Sequence, residues 1–136
     1  MFIKRGQVGL EFMLVTGVAF FTLIIFVVVL SHITAVKQEE KAMYMAEDLV
    51  LSLKQEINFA SNAEQGYFRL LDLPNTIEGY SYEIILGTTA IGTGYFELIV
   101  NDVLFFEIIP RTFGEIRQGK IRISKQEDHV LAGVVQ

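Results

Sequence analysis

Three hydrophobic patterns follow one another along the chain. The first is unbroken: residues 12–30 carry no charge, and only Thr16, Gly17 and Thr22 interrupt the run of apolar side chains. A helix that is apolar on every side has no face for water, so it belongs in a protein core or in lipid. At 1.5 Å per residue these 19 residues reach about 28 Å, close to the ~30 Å hydrocarbon thickness of a bilayer. A single segment crosses lipid only as a helix, because a helix satisfies its own backbone groups. The β-branched Ile24, Ile25, Val27, Val28 and Val29 make a weak helix in water, and a lipid environment overrides that preference.

The second pattern is amphipathic. From His32 to Asn58 the chain is charged, with no proline or glycine, and apolar residues recur at Ile33, Val36, Met43, Ala46, Val50, Leu53 and Ile57. The last five step by three and four, the spacing of a packed helical seam. One continuous helix over 7–60 is therefore predicted, ended by Ser61, Asn62 and Gly66. The third pattern has period two. Strands are predicted over 67–73, 80–86, 95–100, 103–109, 120–124 and 129–135, with a tight hairpin at Asn101 and Asp102. The expected fold is α+β: a long N-terminal helix, transmembrane over 12–30 and amphipathic beyond, packed on a small head domain (61–136) with one antiparallel sheet of four to six strands.

Charge narrows the choice of partner. The chain carries a formal charge of −5; two of its eleven basic residues lie in the first six, and without them nine face sixteen acidic residues, a net of −7. So acidic a surface repels a phosphate backbone, and nucleic acid is not an expected partner. There is no cysteine, which excludes disulfides, thiolate metal sites and cysteine nucleophiles. His32 and His129 are far apart in sequence, so no metal site is expected. The glycine-rich stretch 87–94 lacks the lysine of a phosphate-binding loop and leads into a strand. No cofactor and no catalytic set are expected, and an enzyme is the least expected class.

The residues before the apolar block carry the most specific signal. Lys4 and Arg5 precede it directly, and the positive-inside rule holds them in the cytoplasm and sends the rest outward. An ordinary secretory signal has a shorter apolar region and a small-residue cleavage site, which residues 29–32 do not offer. A plain single-pass anchor fits the length. Neither reading accounts for Glu11, a carboxylate at the edge of an apolar span, where charge is costly and marks function.

Lys4, Arg5, Gly6, Gln7, Val8, Gly9, Leu10, Glu11 and Phe12 together resemble the class III signal peptide of type IV pilins, above all the euryarchaeal pilins with a Q-x-S-x-E motif. One departure is Gly9, where that motif has serine. The resemblance covers residues 4–30. It implies a six-residue leader (1–6) removed between Gly6 and Gln7 by a membrane prepilin peptidase on the cytoplasmic side. Gln7 then becomes the N-terminal residue and Glu11 the fifth, where pilins carry their glutamate. The apolar helix stays on the mature chain and becomes filament core, with Glu11 and the new Gln7 amine pairing between neighbours, and Phe12, Gly17 and Ala19 at the helix contacts. The implied partners are other copies of the chain in a helical homopolymer, the peptidase and assembly machinery, and the membrane before assembly. Two other readings stay open: a processed, membrane-anchored binding or adhesion subunit that never forms the filament body, and an archaeal flagellum-like subunit, a class that usually lacks the glutamate.

Overall fold

The computed structural model describes the backbone of residues 3–135 and the side chains from residue 8 onward. A single helix, α1 (Ile3–Asn62), occupies 60 residues. It ends where Ser61 and Asn62 were expected to stop it: the Asn62 amide donates to the Asn58 carbonyl at 2.9 Å, and Lys125 Nζ donates to the Ser61 carbonyl at 2.8 Å. A cation there also complements the negative end of the helix dipole.

The chain forms two compact units, Met1–Glu39 and Glu40–Gln136. The division falls inside α1 rather than at the junction of helix and strands. Composition separates helix from head, whereas packing assigns the last turns of α1 to the same unit as the strands.

In the first unit, the large apolar side chains from Val8 to Val36 are all exposed, between 42% and 76%. Ile33 and Val36, the first two apolar positions of the amphipathic pattern, belong to this group.

The second unit holds the core. Ala42, Ala46, Val50, Leu53, Ile57 and Ala60 line one buried stripe of α1. The seam starts at Ala42, with Met43 only partly buried beside it. Seven strands follow: β1 (Phe68–Leu73), β2 (Tyr82–Thr88), β3 (Gly94–Val100), β4 (Val103–Ile109), β5 (Thr112–Gly114), β6 (Gly119–Lys125) and β7 (Val130–Val134). They form two sheets, one ordered β1-β6-β7-β5 and the other β2-β3-β4. The fold is α+β as expected, but the single antiparallel sheet is replaced by two, and β5 pairs with β7 in parallel. With only three residues, β5 is too short to show a hydrophobic period.

Both sheets turn one face to the core. Phe96, Leu98 and Val100 of β3 and Ile121 and Ile123 of β6 are fully buried or nearly so, together with Leu53 and Ile57 of α1. The β3–β4 hairpin turns on Asn101 and Asp102, both at positive φ (47° and 61°). Two left-handed residues give the turn whose twist matches the flanking strands. Ion pairs link the helical segment of this unit to its strands and loops: Lys54–Glu107 at 2.6 Å, Glu56–Arg69 at 2.9 Å and Lys41–Glu78 at 2.9 Å. Tyr82 is buried; its hydroxyl donates to the Pro74 carbonyl, and burial pushes its pKa above the ordinary value.

Candidate functional site

The expected site residues all lie on the first unit's length of α1. The helix includes Gly6 and Gln7 in its opening turns, while the side chains of Lys4, Arg5 and Gln7 lie outside the described residues. Glu11 is exposed on the helix surface, and Phe12 beside it is 71% exposed.

Helical geometry decides which of these residues can act together. At about 100° per residue, Glu11, Val15, Val18 and Thr22 share one face. Gly17 and Ala19, by contrast, stand about 200° apart, so they cannot form one stripe of close helix approach. Ala19 sits in a shallow notch bordered by Val15, Thr16, Phe20 and Leu23, where another helix would find its nearest approach to the backbone. Around Gly17, a β-carbon would meet no atom within 4 Å. The two residues therefore lie on nearly opposite sides of α1.

Three hydroxyls in and beyond the apolar block bond within the helix. Thr22 Oγ1 donates to the Val18 carbonyl at 2.9 Å, Ser31 Oγ to Val27 at 2.9 Å and Thr34 Oγ1 to Leu30 at 2.8 Å. A hydroxyl satisfied by the carbonyl one turn back removes most of the cost of placing it in hydrocarbon. Period and hydropathy mark Thr22 only as an interruption of the apolar run, because they do not record where a hydroxyl donates.

α1 is long and apolar enough to span a membrane or to serve as a signal-like segment, and none of its most apolar stretch is buried within the molecule. That exposure separates it from the central helix of a soluble domain, which passes the same length test but is covered by its own protein.

The chain matches no family model, no curated protein and no solved structure.

Proposed function

We propose that the chain is a structural subunit of an archaeal type IV pilus-like filament, cut between Gly6 and Gln7 and assembled through the apolar part of α1. One observation carries the reading: the fully apolar, uncovered segment and the amphipathic, core-forming segment belong to one unbroken helix. A detachable secretory signal needs no such continuity. A subunit that keeps its apolar segment and moves it from lipid into a bundle of identical helices does.

The processing step suits the local sequence. A peptidase takes its substrate extended, so the opening turns of α1 must unwind around residues 6–7. Glycine costs a helix about 1 kcal/mol relative to alanine and leaves room for close approach to the backbone, so Gly6 marks the cheapest place to open. The cut leaves a new α-amine on Gln7, charged near neutral pH. In an assembled bundle that amine and Glu11 of a neighbouring copy form an ion pair in a medium that penalises either alone. Because apolar side chains exchange lipid for one another, assembly gains little from the hydrophobic effect and depends on packing and on this pair. Repeated contact between unlike surfaces yields an open helical array when the rotation does not close.

Replacing Glu11 with alanine is the test. Membrane insertion of the precursor should be unchanged and the yield of assembled filament should fall at least tenfold. Filaments at normal yield from the Glu11→Ala chain would remove the carboxylate from the assembly mechanism. If the cells carry no filament containing the unaltered chain, the anchored, non-polymerising reading takes its place.

A further inference from the structure

The two sheets of the second unit each leave one face uncovered by the rest of that unit's described residues, and the two faces differ in charge. On the β2-β3-β4 sheet the register places Ile85, Glu97 and Phe106 side by side across three strands, flanked by the rows Glu83, Ile99, Leu104 and Gly87, Tyr95, Ile108. Leu104, Phe106 and Ile108 of β4 are 50–59% exposed. The Tyr95 ring lies over Gly87, where a β-carbon would collide with it, and packs against Phe106 at 5.4 Å between centroids. The result is a smooth apolar platform whose only charges are two carboxylates, Glu83 and Glu97. Neither joins an ion pair among the described residues.

The outer face of the β1-β6-β7-β5 sheet is apolar as well but carries cations. Phe68 and Leu70 of β1 are 56% and 55% exposed. Arg122 of β6 stands beside Leu70, with its guanidinium 4.5 Å from the centre of the Phe68 ring. Lys120 follows on the same face, opposite Asp72. At the far edge Arg111 lies over the Phe113 ring at 5.2 Å and is ion-paired with Asp128 at 3.9 Å, which leaves Arg122 the principal cation of the face.

Exposed apolar platforms on this scale mark contact surfaces. We propose that the occupant of each is the other, on a second copy of the chain: the Glu97 face of one head docks against the Arg122 face of the next. Charge selects this pairing over the symmetric one. A two-fold dimer through either platform would bring Glu97 toward Glu97, or Arg122 toward Arg122, and like charges at a desolvated contact are rejected. The unlike pairing matches apolar to apolar and carboxylate to guanidinium. It is heterologous, so each added copy leaves one platform of each kind open and the array can grow. The inference deepens the filament reading and rests on it only for how many copies join.

The chain's lack of cysteine makes the contact testable on the full-length protein in its membrane. Differently tagged chains carrying Glu97→Cys or Arg122→Cys are co-expressed and oxidised with copper phenanthroline. Disulfides joining position 97 to position 122 should exceed 97–97 and 122–122 links at least tenfold. Predominance of either symmetric link, a link to some other protein, or no link at all overturns the proposal. Charge reversal supplies a second arm. Glu97→Arg and Arg122→Glu should each lower self-association of the detergent-solubilised full chain at least tenfold, and the doubly reversed chain should recover it. A mixture of the two single variants should recover association as alternating ladders, because both platforms of one variant complement those of the other. A doubly reversed chain as defective as the singles also overturns the proposal. Filaments that form without the 97–122 link contradict this contact alone; the link in membranes that bear no filament contradicts the filament reading alone.

Discussion

The two lengths of α1 share a backbone and almost nothing else. In residues 12–30 apolar side chains circle the helix, and none of the large ones is covered. In the second unit's part of the helix a single stripe from Ala42 to Ala60 is buried, with charged residues on the other faces. The second length has its apolar solvent built in, supplied by the strands. The first has none among the described residues, and is long and apolar enough to find one in a membrane. One helix thus carries a covered length and an uncovered one, and substitutions should have effects that depend on which length they strike.

The largest expected effect is in the core stripe. Leu53 is 1% exposed, and Leu53→Ala should destabilise the head by about 2–5 kcal/mol, through lost transfer energy and the cavity left behind. Denaturant unfolding of the full chain in detergent, followed by near-ultraviolet circular dichroism, measures it. Phe20→Ala, at a residue 63% exposed, should shift the same transition by less than about 0.5 kcal/mol. Equal effects would erase the distinction between the two lengths. The reverse asymmetry is nearly as large. Ile24→Asp should cost about 2.5–3.5 kcal/mol of membrane insertion, read by a glycosylation-reporter insertion assay, while the head unfolds as before.

Much of this was legible in the sequence, for physical reasons that differ along the chain. The apolar block announces itself because lipid tolerates no charge over its whole thickness. The hairpin at Asn101 and Asp102 was readable because few residue pairs accept positive φ together. Strand β4 carried a signal that passed unread. Its sequence runs apolar on both faces, Leu104, Phe106 and Ile108 as well as the residues turned inward, where a sheet with one solvated face would alternate. That departure from alternation is the trace of the outer platform. The split into two sheets was not readable: strand order depends on contacts distant in sequence, and β5 is too short to announce itself. The opposition of Gly17 and Ala19 required only the helical angle, and grouping them by size alone obscured it.

Smaller effects sharpen the second length further. Lys54 and Glu107 form a half-buried ion pair at 2.6 Å that ties α1 to β4, and Lys54→Ala should cost about 1 kcal/mol. The loss should shrink as salt rises and should be absent from any assay of membrane insertion.

The last effect has a part that shows only at high pH. Burial raises the Tyr82 pKa above its ordinary value of 10.0, so the folded state favours the neutral phenol. Its contribution is fully present below pH 10.0 and is lost as pH climbs through the raised folded value, because the unfolded chain releases the proton first. Tyr82→Phe should lose the hydrogen bond to the Pro74 carbonyl, worth about 1 kcal/mol, and show a flatter decline in stability above pH 10.0, measured by unfolding across that range. An unchanged slope would move the alkaline sensitivity elsewhere.

The proposed function turns on one event: the apolar length of α1 is retained, freed of its first six residues, as working material. Mass spectrometry of the N-terminal peptide, from chain isolated in its native membrane or filament, tests this most directly. The predicted peptide begins at Gln7, with or without loss of ammonia by cyclisation. A peptide beginning at Met1 would make α1 a plain anchor, and one beginning beyond residue 30 would make its apolar length a discarded signal; either result contradicts the claim.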